Sequence, residues 1–192
     1  MTTYEYGHIV RLAESLEKAG IDPEIAARIL EGGEEIHKDT KKEVIAAWMK
    51  GAMDRMDQLL EPETRHAVRQ ACACCLGGKR LTLSRAIARE HATLEERIRA
   101  ANETHFVFGH SVTRQEDGTI RVQFAPDGLE AYRCPCLKAQ EPLSITYCYC
   151  CGGHVKHHLQ IALGRKLEVE AVSTALSSGG RLPCVFALTI VE

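Results

Sequence analysis

Tyr147-Cys148-Tyr149-Cys150-Cys151-Gly152-Gly153-His154-Val155-Lys156-His157-His158 holds three of the nine cysteines and three of the nine histidines of a 192-residue chain. Packing alone gives no reason for that density. Two glycines follow the thiols, and Val155, Leu159, Ala162 and Leu163 then fall on one stripe at helical spacing, so the glycines are expected to mark a turn leading into a helix. The cysteines would then stand at or just before a helix N-terminus. There, free backbone N–H groups and the positive end of the dipole favour a thiolate, the form that binds metal or attacks an electrophile.

Downstream, Gly164 should stop this helix, Leu167 to Val172 alternates as a strand, Ser178-Gly179-Gly180-Arg181 turns, and Cys184 to Ile190 closes as a last strand. Upstream lie Cys134-Pro135-Cys136 and a loop containing Pro142. Before them, Phe106-Val107-Phe108 and Ile120, Val122 and Phe124 read as short strands around Asp117-Gly118, a hairpin signal.

The first half has helical periodicity instead. Ile9, Leu12, Ala13 and Leu16 form one stripe ending at Gly20; Asp22-Pro23 should cap a second helix carrying Ile25 and Ile29. Thr40 and Glu43 have capping-box spacing before the run from Val44 to Leu59, which Pro62 breaks. Thr64 to Cys75 reads as a fourth helix, and Ser84 should cap a fifth carrying Ile87, His91, Leu94, Ile98 and Ala101. The expected fold is therefore α+β: a helical region over 1–102, then an antiparallel-sheet domain over 103–192.

Bulk composition narrows the class. With 24 basic and 26 acidic residues the net charge is −2, which gives no electrostatic footprint for nucleic acid or an anionic membrane surface. The N-terminus shows no signal-peptide pattern and no apolar run approaches the roughly 18–20 residues needed to span a bilayer, so the expected compartment is the cytoplasm. Nine cysteines in a reducing compartment favour metal ligation or redox chemistry over a disulfide framework.

Cys134, Cys136, Cys148, Cys150 and Cys151 supply thiolates enough for a tetrahedral Zn²⁺ site, with His154 as the best non-cysteine ligand and Cys72 or Cys75 as contributors if the two halves pack together. An iron–sulfur cluster, a metal-free redox thiol and inert buried cysteine are the competing readings. Cys184, on an apolar strand, reads as core. Glu168 and Glu170 read as the solvated face of their strand, and no Gly-x-Ser-x-Gly, His-Glu-x-x-His or phosphate-binding glycine loop is present.

The order of thiol segment, Gly-Gly, helix, Leu163-Gly164, Leu167-Glu168-Val169-Glu170, Gly-Gly turn and Cys184-x-Phe186 resembles the C-terminal half of 4-vinyl-reductase domains. It is also similar to a cysteine-rich bacterial group related to L-2-amino-thiazoline-4-carboxylic acid hydrolase. The first resemblance implies a small α+β ligand-binding domain, in some members with a structural zinc on positions that correspond to Cys148, Glu170 and Cys184; the fourth position is Ser173 here, a departure. The expectation is thus a zinc-binding module that binds or senses a small molecule, with a homodimer as a candidate assembly. The second resemblance implies a thiol- or zinc-dependent hydrolase of a C–N bond, in which Cys150, Cys151 and His154 would be the catalytic groups.

Overall fold

Ile9, Leu12 and Leu16 are fully buried along one side of α1 (Gly7–Lys18), as their spacing requires. Gly20, at φ +67°, turns the chain, and the Asp22 carboxylate accepts from the N–H groups of Glu24 and Ile25 at the start of α2 (Pro23–Ile29). In α3 (Lys42–Leu59) the buried face is Ile45, Met49, Ala52, Met53 and Met56. The expected capping box of α3 does not form, because the Thr40 hydroxyl instead accepts from the His37 N–H at 2.8 Å. Pro62 opens α4 (Pro62–Ala71), which ends at Cys72 rather than Cys75. The computed structural model describes residues 3–191.

The next stripe is two helices, not one. α5 (Gly78–Glu90) begins six residues before the expected cap; Ser84 lies inside it, its hydroxyl 3.0 Å from the Arg80 carbonyl and 3.0 Å from His158 Nδ1. The break falls at Thr93, which forms a capping box with Glu96 and starts α6 (Leu94–Glu103). Phe106-Val107-Phe108 is likewise a helical turn, α7 (His105–Phe108), rather than a strand. Three residues are too few for periodicity to decide between them.

Four antiparallel strands follow in the order β1-β2-β4-β3: β1 (Ser111–Arg114), β2 (Ile120–Gln123), β3 (Lys166–Ser173) and β4 (Val185–Val191). Phe186 of β4 lies opposite Val122 on one side and Ala171 on the other. α8 (Tyr149–Leu163) packs on this sheet through Val155, Leu159, Ala162 and Leu163, all buried, and Gly164 at φ +64° ends it. The fold is therefore α+β, with a helical N-terminal region and an antiparallel sheet towards the C-terminus.

Two apolar cores result, and they do not divide at residue 102. Ile87 of α5 and Ile98 and Ala101 of α6 belong to the core under the sheet. Leu137, Leu143, Tyr147, Cys148 and Leu176 belong to the core built on α1 and α3. The first turn of α8 runs along the seam, with Cys148 and Cys150 on the helical core and Tyr149 and Cys151 on the sheet core.

Candidate functional site

A short 3-10 turn, Ile145–Cys148, leads into α8, with the Ser144 hydroxyl accepting from the Thr146 N–H. Gly152 and Gly153 do not form the expected turn; they lie within the helix. For Gly153 the reason is close approach. A Cβ on Gly153 would stand 2.2 Å from the carbonyl oxygen of Gln70, so only glycine lets α8 cross α4 at this distance. Cys150 and Cys151 accordingly occupy the first turn itself, near the positive end of the dipole.

Beside that turn lies a cavity of about 540 Å³. Seven of the nine cysteines line it: Cys72, Cys74 and Cys75 after α4, Cys136, Cys150 and Cys151, and Cys184 before β4. Its apolar wall includes Val107, Phe124, Tyr132 and Ala175, with the exposed Phe106 and Leu129 also contributing. Arg80 and Arg133 border it, with the imidazoles of His8, His105 and His154 alongside, and no carboxylate among the described residues does. Arg80 is steadied by the Phe106 ring, 4.3 Å from its guanidinium carbon.

The two thiol segments meet here. Cys136 of the 134–136 loop and Cys150 and Cys151 of α8 border one cavity. The thiols act on one another: their neighbours push Cys134 and Cys151 above the ordinary thiol range and pull Cys136 and Cys150 below it. Cys148 stands apart, buried against Thr174, and burial pushes its thiol up to about 12. Cys72 is buried too, its Sγ 3.3 Å from the Val68 carbonyl oxygen.

Among the described residues, no group of three or more His, Cys, Asp or Glu side chains is gathered as a metal ion requires. His154 is also committed elsewhere: Nδ1 lies 3.2 Å from the Cys74 carbonyl oxygen and Nε2 3.1 Å from that of Val107. Burial outweighs these two carbonyls and keeps the ring below its usual range, and an uncharged ring donates to one of the two. Four residues on, His158 Nε2 lies 3.1 Å from the Cys75 carbonyl oxygen. The two histidines thus pin the Cys74-Cys75 loop to α8. Cys75 sits at φ +62°, a left-handed conformation that costs a non-glycine residue of order 1–3 kcal/mol and is held by such contacts.

Against Tyr147 lies a residue that the sequence did not single out. Arg69 of α4 is 1% exposed; its Nη2 donates to the Tyr147 carbonyl at 2.9 Å, its guanidinium lies 4.9 Å from the Tyr147 ring centroid, and its Nε has no hydrogen-bond partner. Burial opposes its charge, yet the groups around it, Cys150 foremost and then Cys72, Tyr147 and Cys148, hold its pKa above the ordinary value. Cys74 had no place in a site by sequence, and Cys184 had one only through the 4-vinyl-reductase resemblance; both line the cavity.

The profile of a family of unknown function, DUF6144, matches residues 10–190. The chain belongs to that family. No curated protein matches it significantly. Among solved structures, an H-NOX protein from S. oneidensis in the Fe(II)NO ligation state aligns over 97% of this chain and 99% of that one, at 12% identity and a TM-score of 0.40. A likeness that low carries no argument about the DUF6144 site. None of the described helices is long and apolar enough to cross a membrane.

Proposed function

We propose that this DUF6144 protein is a binding or sensing module for a small molecule with an apolar body and an acidic group, held in the thiol-lined cavity. The observation that carries this is the lining itself: about 540 Å³ of largely apolar wall, two arginines and no carboxylate. An acid entering such a site meets two arginines, and a charge-assisted bond to one of them contributes about 1.5–3 kcal/mol. The earlier resemblance to 4-vinyl-reductase ligand-binding domains agrees with this use. Nine free thiols suit a reducing compartment, for which the cytoplasm is the natural assignment.

Zinc is left out of this reading because no ligand group is gathered among the described residues. The test is a thermal-shift survey of matched carboxylic acids and amines with aromatic or aliphatic bodies, together with elemental analysis of anaerobically purified protein. Acids should raise the unfolding temperature, amines should not, and Arg133→Ala and Arg80→Ala should each weaken acid binding about tenfold or more. Equal shifts from acids and amines would overturn the proposal, as would one equivalent of zinc protecting four thiols.

A further inference from the structure

We infer that Arg80, braced by Phe106, is the residue that reads the ligand's acidic group, so that the acid is held at the rim of the cavity and the apolar body points to its floor. The inference rests on the ligand reading above for what enters the cavity; the assignment of Arg80 stands on separate geometry.

The lining falls into two zones. Val107, Tyr132 and Ala175 are buried and make an apolar floor, whereas Phe106 and Leu129 are 52% and 48% exposed and mark the opening. Large apolar side chains left in water at the mouth of a cavity are surface that a ligand can cover. Arg133 is exposed and Arg80 half-buried, so both permanent charges of the lining belong to the rim. An acid held there keeps part of its hydration, while its body gains by leaving water.

Arg80 is the arginine with a fixed position. Its guanidinium carbon stands 4.3 Å from the Phe106 ring centroid. Its backbone is anchored through Ser84, whose hydroxyl lies 3.0 Å from both the Arg80 carbonyl oxygen and His158 Nδ1. Phe106 is anchored on the same helix, because the carbonyl oxygen of its neighbour Val107 lies 3.1 Å from His154 Nε2. Both halves of the pair are therefore tied to α8. Among the described residues Arg133 has no ion pair and no ring contact, and Arg80 has no carboxylate competing for its donors.

The chemistry of a braced guanidinium suits a carboxylate. The ring covers a face of the group and leaves its N–H donors, which lie in the plane, free to form two parallel bonds to the two oxygens. Because the side chain is already placed, less rotamer freedom is lost when the acid binds. An ammonium at the same position is a point charge without that fork. Lys79 adds charge nearby, its Nζ 5.4 Å from the same ring centroid, but it does not line the cavity. It therefore separates the effect of bulk charge from that of the fork.

Naphthylacetate and naphthylacetamide, which share a body and differ in charge, are the probes, with binding read from naphthyl fluorescence. The wild type should prefer the acid about tenfold or more. Arg80→Lys should erase most of that preference and leave amide affinity unchanged, whereas Arg133→Lys and Lys79→Met should keep it. Phe106→Leu removes no charge, yet it should cut the preference about two- to fivefold by freeing Arg80. A merely structural wall would instead weaken acid and amide alike. In saturation-transfer spectra the ring protons should receive more magnetisation than the methylene beside the carboxylate. Full preference in Arg80→Lys, an equal loss in Lys79→Met, equal weakening of both probes by Phe106→Leu, or the reverse saturation pattern would each overturn the inference. A preference that follows Arg133 instead would leave the ligand reading standing; a wild type that binds acid and amide equally would remove both.

Discussion

Adjacent glycines in α8 do different work. Gly153 meets the backbone of Gln70, which cannot swing aside as a flexible side chain could, so Gly153→Ala should separate α4 from α8 and cost about 3 kcal/mol or more in denaturant unfolding. A Cβ on Gly152 would meet Phe186 and Val169 at 3.5–3.6 Å, ordinary contact distances. Gly152→Ala should therefore be neutral or stabilise by up to about 1 kcal/mol, because alanine restricts the unfolded chain and favours the helix. A second residue-level test concerns pH. Burial, aided by His154 and His157, lowers the His158 pKa from 6.5 to about 4, against the opposing Cys75 carbonyl. Once unfolded, the ring takes up a proton near its ordinary pKa, so the unfolded state binds more protons in this window. Its contribution to stability should be complete above about pH 6.5 and lost progressively towards pH 4. His158→Gln should flatten that part of the stability–pH curve relative to wild type, measured by urea midpoints at each pH.

Helix ends show which contacts hold whole elements together. Arg97 of α6 donates to three carbonyls at 2.9 Å each: His91 and Ala88 at the end of α5, and Leu163 at the end of α8. Carbonyls at helix C-termini lack partners within their own helix and carry the negative end of the dipole, so one guanidinium satisfies two elements at once. Arg97→Met should destabilise by about 2–3 kcal/mol in chemical unfolding, and Arg97→Lys should recover little, because an ammonium lacks the planar fork that spans three acceptors. This clamp also marks the limit of what sequence can say about elements. Caps with a local partner were legible: Asp22 before Pro23, Gly20 and Gly164 as stops, and the alternation that became β3. Thr40 was misread because His37 competed for its hydroxyl, and Ser84 because its hydroxyl was drawn into the protein by His158. The approach of Cys136 to Cys150 and Cys151 around one cavity was legible as clustered cysteine, whereas Cys148 lies outside that cavity. Arg69 was not, since its partner Tyr147 lies 78 residues away and nothing local distinguishes it from the arginines that face solvent.

At the scale of the molecule the two cores are interlocked rather than consecutive. α8 contacts α4 and α5 as well as β3, and the sheet core takes Ile87, Ile98 and Ala101 from before residue 102. Each of these apolar side chains contributes about 1.5–3 kcal/mol if fully buried, less for alanine, and natural domains are stable by only about 5–15 kcal/mol. A fragment comprising residues 103–192 would expose the faces of α8 that α4 and α5 cover and would lose the Arg97 clamp. It should therefore fail to fold, giving a circular-dichroism spectrum without a cooperative melting transition, whereas the whole chain should unfold in one transition by both near- and far-ultraviolet signals. The site makes the same argument from its own composition. Cys72, Cys74 and Cys75 come from the helical region and Cys136, Cys150, Cys151 and Cys184 from the rest, so a cavity with this lining exists only when both parts are docked. Acid ligands should accordingly raise the single transition of the whole chain and leave the fragment unchanged.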